Sequence, residues 1–269
     1  MADVEYEVAD GVATITLNRP ESMNTMGGEL LPLTNAYLAT AAGDDDVRTV
    51  VLTGTGRAFC AGGDLRDMAS ANRGAPGEAI GPGSVARSVA DLRHHMRSSQ
   101  LLREMPKVTI AAINGACAGA GFSWACACDV RYAAESAVFN SAFLTAGLSG
   151  DFGGTWTLPR IVGAAKAREL YLMPEKFRAD EALRIGLVAA VVSDDEFPAF
   201  VRDKAIRAAS FAPLTAASIK ANLNDADHVS FAEALDREAE RHIRSGLTED
   251  SREAARAFLE KRTATFHGR

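Results

Sequence analysis

No run of this sequence is apolar for long enough to cross a bilayer, which takes about twenty such residues, so a membrane protein is not expected. Positive charge is not in excess. Lysine and arginine number 29 against 35 aspartates and glutamates, a formal net charge of −6. That balance argues against a general nucleic-acid binder and leaves only a local basic patch open. Metal-site spacing is missing from the four cysteines. Cys126 and Cys128 are one residue apart, no histidine is near, and Cys60 and Cys117 lie in glycine-rich stretches. Small, buried, reduced thiols are expected, without metal or disulfide. The opening residues have neither a basic segment nor an apolar one behind it, so no secretory leader is expected and the chain reads as cytoplasmic. Low-complexity tracts, short-period repeats and a clear linker are missing too.

What is present is an ordinary globular composition, 47% hydrophobic and 24% charged, over 269 residues. That length suffices for one large domain or for one domain with an appendage. Two glycine-rich loops stand out. Gly54-Thr55-Gly56-Arg57-Ala58-Phe59-Cys60-Ala61-Gly62-Gly63-Asp64 follows the apolar Val50-Val51-Leu52. Asn114-Gly115-Ala116-Cys117-Ala118-Gly119-Ala120-Gly121 follows the apolar run 108–113. Small residues let a ligand touch the main chain, and two such loops at neighbouring strand ends can aim two N–H groups at one oxygen, as in an oxyanion hole. Phosphate loops fit less well. The lysine of a P-loop is absent, the spacing of Gly115, Gly119 and Gly121 is wrong for a dinucleotide fingerprint, and no acidic residue falls where a ribose partner belongs.

Around these loops β-like and helix-like segments mingle up to about residue 195. Tyr6-Glu7-Val8 and Val12-Ala13-Thr14-Ile15-Thr16-Leu17, joined through Asp10-Gly11, predict a hairpin. Helical spacing marks 26–40, 89–105 ended by Pro106, 122–128, 153–172 and 179–185. Strands are expected at 47–53, 108–113, 130–133, 137–139 and 188–192. Residues 70–84, rich in glycine, proline, alanine and serine, read either as a mobile lid or as a solvated insertion. Beyond Glu196 only helical patterns occur, with an apolar stripe through Phe231 and Leu235 and again through Ala255, Phe258 and Leu259. The expected division is an α/β core over 1–195 and a helical region over 196–269.

Gly121-Phe122-Ser123-Trp124-Ala125 approximates the nucleophile elbow of a serine hydrolase. Asp151 and His228 or His242 satisfy the chain order of a triad and nothing more, so hydrolysis is a minor reading. Four longer strings carry a stronger signal. They are Leu17-Asn18-Arg19-Pro20-Glu21, then Gly56 through Leu65 of the first loop, then Asn114-Gly115 through Cys128-Asp129, then Gly153-Gly154-Thr155-Trp156 through Leu158-Pro159-Arg160. In this order they resemble the enoyl-CoA hydratase/isomerase (crotonase) superfamily along essentially the whole chain.

That resemblance implies a crotonase-like α/β fold, a spiral of ββα units with C-terminal helices that assemble homotrimers, often paired into hexamers. It implies an acyl-CoA substrate, with no cofactor besides the coenzyme A that the substrate carries. The N–H groups of Gly63 and Ala120 would hold the thioester oxygen and stabilise an enolate. The two catalytic glutamates of the hydratases fall at Ser123 and Phe143, neither of which can transfer a proton as a carboxylate does. Asp151 falls where family isomerases keep their single acid/base, and its segment looks most like the enoyl-CoA isomerases of phenylacetyl-CoA degradation. Phe143, Phe152 and Trp156 would exclude water and raise the Asp151 pKa. The other reading of Asp151 is a helix cap. Ala61, Asp64, Leu65 and Arg66 match the stretch that meets the adenine and pantetheine arm, while Phe258 and Lys261 match tail positions that reach the nucleotide of a neighbouring subunit. Double-bond isomerisation is the expected activity. Hydration by atypical residues is the alternative, followed by non-catalytic CoA binding and by a dehalogenase-type nucleophile at Asp151.

Overall fold

The computed structural model describes residues 2–64 and 82–269. Asp10 and Gly11 both take positive φ, 54° and 74°. That turn matches the twist of an antiparallel pair, so β1 (Val4–Ala9) and β2 (Val12–Leu17) close with Ala9 opposite Val12. After this hairpin the strands come in consecutive couples. β3 (Thr49–Gly54) is followed by β4 (Ala58–Cys60), β5 (Val108–Ile113) by β6 (Ala116–Ala118), and β7 (Val130–Ala134) by β8 (Val138–Asn140). The first member of each couple joins a six-stranded sheet, order β1-β2-β3-β5-β7-β10, and the second a four-stranded sheet, order β4-β6-β8-β9. The last strands of these sheets are β9 (Phe177–Arg178) and β10 (Ala190–Val192). Among the described strands, β2-β3-β5-β7-β10 and β4-β6-β8 run parallel. Each ββα turn therefore adds one strand to each sheet, the expected spiral.

The helices that complete the turns are α1 (Leu30–Gly43), α2 (Pro82–His95), α3 (Arg97–Glu104), α4 (Gly119–Ala127), α5 (Gly154–Val162), α6 (Ala164–Leu172) and α7 (Ala179–Arg184). All nine residues of α4 are buried, and it carries Phe122 and Trp124, two of the largest fully buried side chains. A helix apolar on every side belongs inside a core. Its Trp124 Nε1 donates to Ser98 Oγ of α3 at 2.8 Å. The C-terminal region is helical: α8 (Phe197–Ala209), α9 (Pro213–Asp225), α10 (Phe231–Gly246) and α11 (Glu249–Glu260). α8 places Phe197, Val201, Ala205 and Ala209, one face at helical spacing, against Val12, Val51, Ile110 and Ala112 of the larger sheet. α9 is pinned to the core by Lys220, whose Nζ lies 2.8 Å from Asp129 and donates to the Leu102 and Lys107 carbonyls. No helix among the described residues is long and apolar enough to cross a membrane.

Several element bounds differ from the sequence expectation. The first helix starts at Leu30 instead of 26, because Met26 N–H donates to Gly62 O and Met26 bridges Gly63. The run 89–105 is two helices parted at Met96. The first is exposed along its described side chains, while the second buries Ser98 and Leu102. The run 153–172 is parted at Gly163, whose φ of 82° and ψ of 155° no helix can contain. The expected lid over 70–84 lies outside the described residues as far as 81, and 82–84 open α2.

Candidate active site

The two glycine-rich loops sit side by side because β4 and β6 are parallel neighbours, with Ala58 beside Ala116 and Cys60 beside Cys117. Asn114 ties them together. Its Oδ1 accepts from Gly54 N at 3.3 Å and its Nδ2 donates to Gly56 O at 3.0 Å, while Ala116 N donates to Arg57 O. The fully buried Asn24 fastens the first loop from the other side, donating to Thr55 O and Ala58 O and accepting from Arg19 N. The Asn18-Arg19-Pro20 string thus acts as a brace for the first loop.

The approach of the loops is closest where each turns into the site. A Cβ on Gly121 would overlap the Cys60 carbonyl oxygen and come within 2.6 Å of the Cys60 Cβ. Gly62 has φ of 95°, and a Cβ there would meet Ala118 O at 3.0 Å and Ala120 N at 3.4 Å. On its far flank Gly62 O accepts from Met26 N at 2.8 Å and Ala61 N donates to Met23 O at 3.1 Å. Neither the Gly63 nor the Ala120 N–H donates to a turn or loop carbonyl among the described residues. Ala120 is the second residue of α4, where an N–H has no acceptor in its own helix and the helix dipole is positive. Both free donors therefore lie at the head of α4 and the adjoining loop, ready for an external acceptor.

Asp151 lies on the turn into α5, which packs along α4. Its Oδ1 is buried and makes no hydrogen bond. The N-cap of α5 is Gly153, and among the described residues no hydrogen bond joins the Asp151 carboxyl to an N–H of that helix. Desolvation raises the Asp151 pKa to about 6. Burial pushes the Cys60 thiol, at the end of β4, up to about 12, a Gly62 hydrogen bond pulls it down, and the Asp151 charge adds to the rise. Asp151 is thus within electrostatic range of the residue that leads into the Gly62-Gly63 turn.

The aromatic wall is partly different from the one expected. Phe152 is buried and packs edge-on against Trp124, ring centres 5.7 Å apart. Phe143, 5% exposed, lies parallel to Tyr171 at 6.0 Å. Trp156 has the Arg160 guanidinium 3.7 Å over its ring and His228 stacked on it at 5.5 Å. Ser123 is fully buried, and its hydroxyl donates to Gly119 O at 3.4 Å. Among the described residues no hydrogen bond joins Ser123 to a histidine, so no hydrolase triad forms. Tyr171 and Trp124 were invisible as site residues in the sequence, since each reads as a packing position on a helix.

The remaining expected residues are scattered. Asp64 accepts from Thr25 Oγ1 at 3.2 Å beside the first loop, and Ala61 is half-buried there. Leu65 and Arg66 lie outside the described residues. Phe258, 83% exposed, and Lys261, the C-cap of α11 with φ of 54°, sit at the exposed end of that helix. All four cysteines are free and buried.

A spiral of ββα units with two paired loops at neighbouring strand ends defines a crotonase-fold protein. The enoyl-CoA hydratase/isomerase family model matches residues 7–269. A protein of Rhodobacter capsulatus named "Probable enoyl-CoA hydratase" is 39% identical over 266 residues, covering 99% of this chain and 98% of its own. The 1,2-epoxyphenylacetyl-CoA isomerase of Escherichia coli strain K12 is 36% identical over 262 residues, covering 97% of each. The crystal structure of an enoyl-CoA hydratase from Bacillus anthracis matches with a TM-score of 0.89 at 31% identity, covering 100% of both chains. The chain belongs to the enoyl-CoA hydratase/isomerase family and is an acyl-CoA enzyme of that superfamily.

The contact at Gly121 is testable. Gly121→Ala must push α4 away from β4, because the obstacle is main chain. Overpacking of this kind costs about 1–3 kcal/mol, and we expect a lower melting temperature together with a loss of acyl-CoA turnover larger than the lost folded fraction explains.

Proposed function

We propose that this enzyme moves the carbon–carbon double bond of an enoyl-CoA, with Asp151 as its single acid/base and the N–H groups of Gly63 and Ala120 as its oxyanion hole. The carboxylate takes a proton from the α-carbon of a 3-enoyl-CoA. The electron pair passes to the thioester oxygen, where the two amides stabilise the enolate. The same carboxyl then returns the proton to the γ-carbon as the electrons move back, which leaves the 2-enoyl thioester. Atoms and electrons balance with no cofactor beyond the CoA of the substrate. Each amide donor is worth about 3 kcal/mol to such a transition state.

The observation that carries this reading is the state of Asp151: an unpaired carboxylate oxygen with a pKa raised by burial to about 6, close to working pH, where one group both accepts and returns a proton well. Ser123 and Phe143, at the two positions that resemblance gives to the hydratase glutamates, supply no second carboxylate. The second reading is hydration. It is supported by relatives such as the Rhodobacter capsulatus protein, whose name is that of a hydratase, and it requires Asp151 or another group to activate a water.

Our reading gives acyl-CoA chemistry to residues 1–195 and assembly chiefly to α9–α11 within 196–269. Support comes from the apolar surface there: Phe231 at 80%, Leu247 at 70% and Leu259 at 80% exposure. In a homotrimer or a dimer of trimers, Phe258 and Lys261 of one copy would reach the nucleotide held near Ala61, Asp64, Leu65 and Arg66 of the next. Sedimentation at micromolar concentration is expected to give a trimer or hexamer, with Leu259→Asp lowering the order. A wild-type monomer would contradict this assembly.

Three further outcomes follow from Asp151. Asp151→Asn is expected to abolish conversion of a 3-enoyl-CoA to the 2-enoyl isomer, followed by thioester absorbance. Brisk hydration of crotonyl-CoA that survives in the variant would defeat the isomerase reading. The wild-type kcat/KM for isomerisation should rise as pH climbs through about 6 and then level, because the base must be ionised. Stability moves the other way. The folded pKa lies above that of an unburied aspartate, so folding binds protons and stability falls as pH rises from about 4 past 6. Asp151→Asn should therefore gain melting temperature relative to wild type above pH 6.

A further inference from the structure

Tyr171, near the end of α6, is a polar group that the isomerisation does not use. Its hydroxyl is buried and has no hydrogen bond of normal geometry. The ring is held parallel to Phe143, with an interplanar angle of 5°. The hydroxyl lies against Gly154 and beside Ser123 Oγ, since a Cβ on Gly154 would overlap both oxygens. It is also within electrostatic range of Asp151, and Ser123 is close enough to favour a phenolate. Burial nonetheless keeps the phenol protonated, well above its ordinary value, so this group is a donor and not a base. Ser123 Oγ donates to Gly119 O, and no hydrogen bond of normal geometry joins it to the phenol. An unpaired buried hydroxyl costs as much as a lost hydrogen bond, and one kept beside a reactive carboxylate calls for a partner that arrives from outside.

We infer that Tyr171 is a specificity-determining residue: its hydroxyl donates a hydrogen bond to an oxygen on the acyl chain, so the enzyme prefers acyl-CoAs with a hydroxyl or carbonyl beyond the thioester over bare hydrocarbon chains. The inference rests on the proposed seating of the thioester at Gly63 and Ala120. Ser123 follows Ala120 by three residues, a rise of about 4.5 Å along α4. A donor beside Ser123 therefore meets the chain about that far from the thioester oxygen, around the γ- or δ-carbon. A hydrocarbon chain there leaves the phenol as unpaired as it is in the free protein.

Calorimetric titration of the whole chain with hexanoyl-CoA and with 4- and 5-hydroxyhexanoyl-CoA tests this. All three probes are saturated at the positions where isomerisation occurs, and none carries the 3-hydroxyl that a hydratase would eliminate. The wild type is expected to bind the 4- or 5-hydroxy probe about five- to tenfold more tightly than hexanoyl-CoA. In Tyr171→Phe that ratio should fall to about one. A wild-type ratio of one or less for every hydroxylated probe overturns the inference without any variant having to fold, and means that water serves the phenol instead. A preference that persists in Tyr171→Phe, including a uniform weakening of all three probes, assigns the residue a structural role and equally overturns it. Because no probe turns over, this result is independent of the Asp151→Asn assay, so failure of one reading is distinguishable from failure of the other.

Discussion

The site depends on how closely two stretches of main chain approach. β4 and β6 are short and parallel, and the turns that leave them touch through Gly62 and Gly121, positions where any side chain would strike backbone. That contact brings the Gly63 amide next to the first turn of α4, and the buried helix adds the positive end of its dipole. The long sheet, the Asn114 ties and the Asn24 brace all serve to hold this distance fixed. Preorganised donors are effective because they need not reorient when charge appears on the oxygen. The free energy is spent in folding, where a core packed to crystal density resists any drift of the loops.

Against that rigid background the proposed chemistry depends on one carboxyl group. Burial withdraws solvent from Asp151 and leaves its charged form strained, and the next residue in the chain, Phe152, packs into the core against Trp124. The same desolvation lowers stability at neutral pH and makes the group a better base. An isolated acid of this kind can both take and return a proton. With serine and phenylalanine at the two positions that resemblance gives to the hydratase glutamates, the proposed reading favours relocation of a hydrogen over addition of water.

Much of the fold was legible in the residues. Asp10-Gly11 announced the hairpin because both positions need positive φ, and the two glycine loops announced close main-chain approach. Two of the three-residue strands were not legible. β4 and β6 lie inside glycine- and alanine-rich strings that read as loops, whereas the equally short β8 falls at the expected 137–139. Helix starts were misplaced where a tertiary contact wins, as with Met26 on Gly63. The choice between tryptophans could not be made from spacing either. Trp156 is nearer to Asp151 in sequence, yet its ring stacks between Arg160 and His228 while Trp124, on another helix, packs against Phe152. Tyr171 carried no motif, since its meaning arises only from what α4 and α5 bring beside it.

The most direct test of the account is a crystal structure with a saturated acyl-CoA bound. The account predicts the thioester oxygen about 2.7–3.1 Å from both the Gly63 and Ala120 nitrogens, with the Asp151 carboxyl facing the α- and γ-carbons. A thioester oxygen seated away from those two amides, or Asp151 turned toward bulk solvent, would contradict it.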